Sequence, residues 1–567
     1  MPEQKVCARK VMLLWQMIET IPPQQILARV KLLLKRRACS VARVFDPRQS
    51  RFTPTPVLNW EFEQKVPFID YSGDQSSVFF DQNTLVFRML GGEIERGKSH
   101  IWERDDKDPK ISHLWLIHLH SMNYLRGCDD AELMFLVQDW IKKNPKFEPD
   151  YWHASWNSYA LSIRIYVWIT EFARRPAARD KVGHVLTRSI FQQLEFLVRN
   201  LELDLRGNHL IKNIRTLLWG SCFIAGESSK RWRQTGIKLL RRELGNQILA
   251  DGIHYERTPS YHNEVLSDLI DCLLVLDDQE VRVLLREKIE TMMDVASALT
   301  QPDGGPILFN DSVITSKSFS AIQRRLMGFE TKPIAGSSNF SFSEGGFSGI
   351  RRGHNFFVVK HGPMVAGQQP GHGHADIFSF EWSLEGRRFI VDKGVFEYEA
   401  GNQRELSRAT RSHNTLNIDG LDQCEMWGSF RSGRKPRVTS TVEFDGDKIV
   451  VEGSHDGYCR LAGRPVHKRR ITASERHVSV DDRVIGGCGQ IAEARLLLHP
   501  DCEPIKRGET ILIGFGSYQV GLTSNSDMKI TETSWFPTFG ESIKTYQIAL
   551  VYGTIPGAWH FQLSRLK

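Results

Sequence analysis

The sequence predicts a multidomain α+β protein in which a helical domain comes first and an antiparallel β-sandwich follows. Three observations lead to this fold class. The 567 residues exceed the length of one ordinary domain. From about residue 110 to 300, apolar residues recur three and four positions apart, which is typical of amphipathic helices. Beyond that region, short period-two runs separated by Gly, Asn and Asp predict many antiparallel strands with a core of their own.

Residues 1–100 are predicted to be a helical and wrapping segment, not an independent domain. Residues 10–36 have the pattern of two helical pieces separated at Pro22 and Pro23. The second piece, QQILARVKLLLKRR, is amphipathic and basic. We expect it to cover a core with its lysines in solvent, and membrane attachment is the alternative. Residues 45–100 mix prolines and aromatics with short extended runs such as SSVFFD and TLVFRML.

Residues 101–330 form the predicted helical domain, and residues 331–567 form the predicted sandwich. The connections between helical segments are short, so successive helices are expected to pack antiparallel. Most of the tryptophans in these helices are expected in the core, and a groove that stacks sugar rings is the alternative position for some. The turn-rich segment QPDGGPILFNDS, residues 301–312, closes the helical region. The predicted strands include FSGIRRG, HNFFVVKHG, DKIVVEGSHDGY, HVSVDDRVIGG, ETILIGFG and SIKTYQIALVYG.

Composition narrows the classes of function. The formal net charge of +7 is a small, dispersed excess, which suits an anionic substrate but gives little support for nucleic-acid binding. The nine cysteines are scattered without CxxC spacing, as expected of reduced thiols. No apolar run is long enough to cross a bilayer, and the run VMLLWQMI near the N-terminus lacks the cleavage site of a signal peptide. These features favour a cytoplasmic protein, or one exported by another route.

The segment GHGHADIFSFEW, residues 371–382, concentrates groups that can do chemistry. On a strand, His372, His374 and Asp376 would project from one face. Two interpretations remain open for this pattern. The histidines are either half-exposed strand residues with ordinary hydrogen bonds, or part of a metal site that a carboxylate and a histidine further along the strand-rich region would complete.

Two segments of the helical region also concentrate polar groups. RGNHLIKN places Asn208 and His209 just before a predicted helix, and QILADGIHYERTPSYH places Tyr255, Glu256 and Tyr261 around an Asp-Gly turn. Each residue has a structural alternative, since Asn208 suits a helix N-cap and Tyr261 suits an interface aromatic with its hydroxyl satisfied. Only the two segments together indicate a functional site.

Taken in order, six segments resemble the motifs of the heparinase II/III-like polysaccharide lyases. These segments are GNHLIKN, QILADGIHYERTPSYH, PDGGPILFNDS, GHGHADIFSFEW, VDKG and SHNTLNIDG, and the resemblance covers roughly residues 110–430. It implies an incomplete α/α toroid followed by an antiparallel β-sandwich, with an acidic polysaccharide cleaved between the two. It also implies a cell-envelope or periplasmic location, which the missing signal peptide does not support.

The resemblance assigns roles to five side chains. β-Elimination from a uronic acid removes the C5 proton beside a carboxylate, whose charge an amide or imidazole has to neutralise. Asn208, with His209 beside it, would be the neutralising pair. Tyr261 would return a proton to the leaving O4, and the role of base stays open between Tyr261 and His372. Tyr398 would be a supporting hydroxyl.

By the same resemblance, a divalent metal ion, zinc or calcium, would be held by His374, Asp392 and His413. Its role would be structural, holding the loops that carry His372. Asp376 is the alternative carboxylate ligand, because on a strand it would share a face with His374.

The expected function is that of a polysaccharide lyase acting on a glycan that contains uronic acid, without an organic cofactor. Three arginines are candidates for bidentate binding of substrate carboxylates, with surface solvation as the alternative. They are Arg164, Arg404 and Arg408.

Two other functions stay open. A glycoside hydrolase would need two paired carboxylates, and the available Glu256, Asp251 and Asp303 form no evident pair. A carbohydrate-binding or exopolysaccharide-assembly protein would keep the fold without turnover. The particular polymer and the oligomeric state do not follow from the sequence.

Overall fold

A computed structural model of the chain describes residues 21–42, 57–58, 76–103, 108, 110–146, 150–314, 318–325, 336–365 and 371–566. The predicted first helical piece and the boundary at residue 330 lie outside these residues. Helices dominate up to residue 325, and strands dominate from residue 337 onwards. The predicted order of a helical region followed by antiparallel sheets is therefore confirmed.

The helices of the described residues carry the labels α1 to α11 below. They are α1 (Pro23–Ala42), α2 (His113–Ser121), α3 (Asp130–Lys143), α4 (Ser158–Arg174), α5 (Pro176–Arg199), α6 (Gly207–Phe223), α7 (Glu227–Gln247), α8 (Pro259–Val275), α9 (Gln279–Ala298), α10 (Phe319–Arg325) and α11 (Asn402–Arg408). Short 3₁₀ turns lie at Asn123–Gly127 and Thr410–Ser412.

Several helices begin where the sequence supplies a cap. Asp129 and Glu132 form a capping box at the start of α3, Asn157 caps α4, and Asp278 caps α9. Pro259 occupies the first turn of α8, where its missing N–H costs no hydrogen bond. These caps satisfy backbone donors that the helices themselves leave without a partner.

The helical region has two layers. Helices α2, α4, α6 and α8 pack against one another in succession, and α3, α5, α7 and α9 pack outside them. The inner helices α4, α6 and α8 are buried along most of their length, whereas the outer helices bury a single face. This alternation of inner and outer helices is the arrangement expected of an α/α toroid, and the N-termini of α6 and α8 carry the polar motifs singled out in the sequence.

The strands carry the labels β1 to β24. They are β1 (Val57–Leu58), β2 (Ser77–Phe80), β3 (Thr84–Met89), β4 (Gly92–Gly97), β5 (Ile224–Ala225), β6 (Ser337–Phe342), β7 (Phe347–Arg352), β8 (Asn355–Lys360), β9 (Phe380–Leu384), β10 (Arg387–Ile390), β11 (Leu416–Ile418), β12 (Met426–Trp427), β13 (Arg431–Ser432), β14 (Val438–Asp445), β15 (Lys448–His455), β16 (Val466–Ala473), β17 (His477–Ile485), β18 (Ile491–Leu497), β19 (Cys502–Arg507), β20 (Thr510–Phe515), β21 (Tyr518–Ser524), β22 (Asp527–Trp535), β23 (Ile543–Thr554) and β24 (Gly557–Arg565).

Three large antiparallel sheets, with the two-stranded sheet β12-β13, build the second half of the molecule. Their strand orders are β10-β9-β8-β7-β6, β11-β18-β23-β22 and β14-β15-β16-β17-β24-β21-β20-β19. One apolar core takes side chains from all three sheets, for example Trp382, Leu496 and Val480. Alternate residues face this core along each strand, as period-two patterning requires.

The five-stranded sheet β6–β10 also joins the two halves of the molecule. In β8, Phe357 and Val359 point into the sandwich core, whereas Phe356 and Val358 point the other way and pack against Ile253 and neighbouring side chains of the helical region. Both faces of β8 are therefore buried.

The N-terminal segment agrees with the prediction in one respect and differs in another. The extended runs in residues 76–97 form the three-stranded sheet β2–β4, and its Leu85 and Phe87 join the apolar core of the helical region. Helix α1, however, turns its apolar side chains outward, with Leu27 53% and Leu34 62% exposed. The prediction that this helix covers a core with its lysines in solvent is wrong.

Candidate active site

Asn208 lies in the first turn of α6 and is buried. The N-cap position belongs to Arg206, whose φ is +58° and whose side chain makes no capping bond. The alternative interpretation of Asn208 as the helix N-cap is therefore wrong. Its backbone N–H donates to Glu256 Oε1 at 2.9 Å, and its side-chain Nδ2 donates to Glu256 Oε2 at 3.2 Å. Nδ2 also lies 3.3 Å from Glu256 Oε1, so one carboxylate orients the amide through both of its oxygens.

Glu256 is buried and ionised. Burial alone would raise its pKa, but the nearby His254 and His372 and the N–H of Asn208 lower the pKa below its ordinary value. The electrostatic influence of His372 on this pKa indicates that the carboxylate lies on the side of the helical region that faces the sandwich loops. The hydrolase alternative would use Glu256 as a catalytic carboxylate, but in the structure this carboxylate binds Asn208.

His209 has a carboxylate partner of its own. Its Nδ1 lies 3.0 Å from Oε1 of Glu202, and Asn213 donates from Nδ2 to the other carboxylate oxygen at 3.0 Å. Burial opposes protonation, but Glu202 raises the pKa of His209 above its ordinary value. The His209 ring packs on Tyr159 with centroids 4.4 Å apart, and its side chain keeps 30% of its surface exposed. The helical region therefore presents an imidazole with a raised pKa directly after Asn208 in the chain.

Tyr261, Tyr398 and His372 converge from three different segments. The two phenol oxygens are 2.5 Å apart, and the ring of Tyr261 lies 4.6 Å from the ring of His372. Phe430 packs against His372 and Tyr398 with centroid distances of 5.8 and 5.3 Å. Burial raises the pKa of both tyrosines well above the ordinary value, so both are neutral proton donors. We refer to Tyr261, Tyr398 and His372 as the tyrosine–histidine cluster.

The histidine motif itself is not a strand. Residues 371–379 form turns and extended loop, and β9 begins at Phe380. Phe378 has a φ of +60°, which no regular strand allows. The prediction that strand alternation projects His372, His374 and Asp376 from one face is therefore wrong. The two histidines converge for another reason.

Asp311 brings the two histidines together, because it is buried and accepts a hydrogen bond from each of them. His372 Nδ1 lies 2.8 Å from Oδ2, and His374 Nε2 lies 2.8 Å from Oδ1. Arg404 donates to both oxygens of the same carboxylate, at 2.9 Å from its Nη2 to Oδ2. Burial alone would raise the pKa of Asp311, but Arg404 and the two histidines hold it well below its usual range. Asp311 therefore fixes the tautomers of both rings, with Nε2 of His372 and Nδ1 of His374 left as acceptors.

His374, Asp392 and His413 lie together in the sandwich. Each offers one ligand atom, and these atoms lie within 4.8 Å of one another. All three residues are fully buried, and Nδ1 of His374 and Nε2 of His413 have no hydrogen-bond partner among the described residues. Buried polar nitrogens normally have partners, and a histidine that ligates a metal usually donates its other N–H to a carboxylate, as His374 does to Asp311. The donor set therefore fits a metal ion.

Asp376 does not belong to this group. It forms a buried ion pair with Lys360, whose Nζ also donates to Asn310 Oδ1 at 2.6 Å. The turn after Asp392 requires Gly394, because its φ is +69° and a Cβ there would overlap the carbonyl of Phe536. Asp392, not Asp376, is the carboxylate that the fold places beside the two histidines.

None of the three candidate arginines is a solvated surface group. Arg164 is buried between helices, where it donates to His120 O and lies 3.8 Å over the ring of Trp140. Arg404 pairs with Asp311, and Arg408 donates through Nε to the carbonyl of Gly373 at 3.2 Å. The last two hold the histidine loop in place. The alternative of surface solvation is therefore wrong, and substrate binding by these arginines stays a prediction.

The carboxylates required for a hydrolase also have other partners. Asp303 pairs with Arg388 at 2.6 Å, and Asp251 accepts from the backbone N–H of Gly345 at 2.8 Å. With Glu256 bound to Asn208, each of the three has a separate structural role. The geometry gives the hydrolase interpretation no pair of carboxylates.

Sequence analysis did not identify three residues that contribute to the site. Asp311 lies within the segment PDGGPILFNDS, but the residues that it contacts, His372 and Arg404, follow 61 and 93 residues later in the chain. Glu202 has no motif of its own, and Tyr159 follows an N-cap in an otherwise ordinary helix. The sequence feature that could have indicated Asp311 is the Asn-Asp pair near the end of PDGGPILFNDS, which places a carboxylate in a turn.

Comparison with known proteins covers both halves of the chain. Residues 128–330 match the family model described as heparinase II/III N-terminus, and residues 335–555 match the model described as heparinase II/III-like, C-terminal. A heparin-sulfate lyase of Pedobacter heparinus is 30% identical over 326 residues, which are 51% of this chain and 48% of that protein. One of Bacteroides stercoris is 25% identical over 364 residues, or 55% and 54% of the two chains. The match spans about half the length of these relatives.

Solved structures resemble the fold over nearly the whole chain. A crystal structure of heparinase III has a TM-score of 0.67 at 17% identity, covering 97% of this chain and 93% of that one. A heparan sulfate lyase mutant from Pedobacter heparinus has a TM-score of 0.59 at 19% identity, covering 95% and 88%. At these identities the likeness establishes the architecture of a helical region followed by β-sheets.

Proposed function

The chain belongs to the heparinase II/III-like family, and from that premise we propose that it is a polysaccharide lyase acting on an acidic, uronic-acid-containing polysaccharide by β-elimination. The observation that carries the proposal is the tyrosine–histidine cluster, in which two neutral phenols and an imidazole meet beside an oriented amide. Because the relatives are heparin-sulfate lyases, a glycosaminoglycan of the heparin class is the first candidate substrate.

The proposed reaction begins with neutralisation of the uronate carboxylate. The amide of Asn208 and the ring of His209, whose pKa Glu202 raises, are the groups that would stabilise the enolate-like charge that develops when the C5 proton leaves. Glu256 and Glu202 hold these two side chains from behind, so their positions do not depend on the substrate. Such fixed donors lower the barrier because they need no reorganisation during the reaction.

The proposed proton transfers divide between two side chains. His372 accepts the C5 proton at Nε2, because Asp311 holds the proton of the ring on Nδ1. Tyr261 donates its proton to the departing O4, because burial keeps the phenol neutral. Tyr398, 2.5 Å from the Tyr261 oxygen, orients that hydroxyl and can return a proton to it. The C4–O4 bond breaks as the C4–C5 double bond forms.

The proposed metal ion is zinc in a structural role. Two imidazole nitrogens and one carboxylate suit zinc better than calcium, which prefers oxygen ligands. His374, Asp392 and His413 would hold the ion, and when bound it would cross-link the loops that carry them. Asp311 would join this centre to His372, since the same carboxylate bonds His374 and His372.

The test is an elimination assay with a panel of acidic polysaccharides, including heparan sulfate, hyaluronan, alginate and bacterial exopolysaccharides. Elimination leaves an unsaturated uronate that absorbs in the ultraviolet, and Tyr261→Phe should lower the rate by about 10²–10⁴-fold while leaving the fold intact. Tyr518→Phe, in β21 of the eight-stranded sheet, is the matched control and should keep full activity.

Two outcomes would contradict the proposal. New reducing ends without ultraviolet absorbance would show hydrolysis. Binding of a polymer with a measurable dissociation constant, but no cleavage by wild type, would favour the carbohydrate-binding alternative.

A further inference from the structure

Helix α1 presents an apolar face to solvent. Five large side chains of this helix are exposed by 37–62%, and they are Ile26, Leu27, Val30, Leu33 and Leu34. Their spacing of one, three and four residues places all five on one side of a helix, within an arc of about 120° at 100° per residue. Isolated exposed apolar residues are ordinary, but a contiguous stripe of five on one helix marks an interaction surface.

The helix is anchored to the protein by its polar side instead. Gln25 is buried and donates to the carbonyl of Asp204 at 3.3 Å, and Arg29 pairs with the carboxylate of Asp204 at 2.7 Å. Lys35 donates to the carbonyl of Arg199 at 2.7 Å, and Arg36 lies over the ring of Trp152 at 5.9 Å. This orientation reverses the usual one, in which leucines face the core. The stripe therefore stays outward because hydrogen bonds and ion pairs hold the opposite face.

The charged residues of the helix indicate which kind of partner the stripe can bind. The segment Pro23–Ala42 contains five Lys and Arg residues and no Asp or Glu. Lys31 flanks one edge of the stripe and Arg37 lies at its C-terminal end, and both are exposed; Arg29, at the other edge, is paired with Asp204. A second copy of the same helix would place these cations against their own equivalents, which is unfavourable. An anionic lipid surface complements both the apolar stripe and its cationic border.

We infer that α1 docks the protein on the surface of an anionic membrane, with Leu27, Leu34 and their neighbours inserted at the boundary of headgroups and acyl chains. In the described part of the chain, no helix is long and apolar enough to cross a bilayer. The helix would therefore lie in the plane of the surface. This inference does not depend on the proposed lyase activity.

The experiment is co-sedimentation of the full chain with vesicles. Wild type should bind vesicles that contain roughly one-third phosphatidylglycerol, bind pure phosphatidylcholine vesicles far more weakly, and lose affinity as salt rises. The variant Leu27→Gln/Leu34→Gln should bind on the order of tenfold more weakly, because it removes apolar contact and keeps every charge. Val185→Gln/Val283→Gln is the matched control, since those side chains are exposed by 51% and 57% on other helices.

Three results would overturn the inference. Wild type that stays in the supernatant with anionic vesicles would exclude membrane docking. Equal loss of binding in the two double variants would show that the stripe has no special role. A wild-type dimer that Leu27→Gln/Leu34→Gln converts to a monomer in light scattering, without vesicle binding, would identify the stripe as an interface between copies. Thermal unfolding of both variants controls for loss of the fold.

Discussion

The two halves of the molecule hold their polar site residues in different ways. On the helical side, Asn208 and His209 each have a carboxylate of their own, Glu256 and Glu202. On the sandwich side, His372 and His374 share the single carboxylate of Asp311. A buried arginine, Arg404, completes that arrangement with a full positive charge.

This difference indicates which half of the molecule should depend on a bound metal ion. On the helical side, Asn208 and His209 are held by carboxylates of the protein. The sandwich side keeps two buried imidazole nitrogens, on His374 and His413, without a hydrogen-bond partner among the described residues. Leaving such groups unpaired is costly, so the sandwich side should respond to metal binding and the helical side should not.

The largest expected effect comes from the carboxylate that the sandwich side shares. Asp311→Asn leaves Arg404 buried without its counter-charge, which should lower the free energy of unfolding by about 3–5 kcal/mol. Glu256→Gln is the matched change on the helical side. Its hydrogen-bond donors are the neutral backbone and side-chain N–H groups of Asn208, so the loss should be about 1 kcal/mol. Denaturant unfolding followed by circular dichroism measures both variants.

Equal destabilisation by these two changes would contradict the comparison. It would mean that a charged partner makes no difference at these positions. Activity gives a second readout, because Asp311→Asn should also misorient His372 and lower kcat, with a smaller change in KM.

The next effect concerns the metal. Removal of zinc with a chelator should lower the free energy of unfolding by about 2.7 kcal/mol for protein that had been held at a hundredfold excess of zinc over its Kd. His413→Ala should lose the bound metal and show no further response to the chelator. Asn208→Ala should keep wild-type metal content, because its partners lie on the helical side. Metal analysis by mass spectrometry, with thermal unfolding, distinguishes the variants.

A wild-type protein that binds no zinc, or that unfolds at the same temperature with and without it, would contradict the proposed metal centre. The tyrosine–histidine cluster would then have to be held by Asp311 and Arg404 alone.

Local patterns in the sequence were sufficient for the order of helices and strands. Periodicity of 3.6 or 2 depends on neighbouring residues, so segments such as β15 and β17 could be identified without knowing their partners. The grouping of His374, Asp392 and His413 agrees with the set that the family resemblance implied. The roles of Asn208 and Tyr261 in catalysis stay predictions.

Other features could not follow from a single sequence. The histidine motif was expected on a strand, but contacts of Asp311 and Arg404 override the local preference and hold residues 371–379 as a loop. Helix α1 has the same periodicity whichever face is buried, so its pattern could not show that Asp204 anchors the polar side. Contacts between distant segments decided both cases.

The smallest expected effect is pH dependence on the helical side. Glu202 raises the pKa of His209 above its ordinary value of 6.5 in the unfolded chain. The ion pair therefore stabilises the folded state fully below about pH 6.5, and this contribution is lost as pH rises through the raised folded-state pKa. His209→Gln should cost about 0.5–1 kcal/mol at pH 6 and much less at pH 9, because the side chain is 30% exposed and water screens the pair. Glu202→Gln should show the same pH dependence. A cost that is constant from pH 6 to pH 9 would mean that packing against Tyr159, and not charge, accounts for the contribution of His209 to stability.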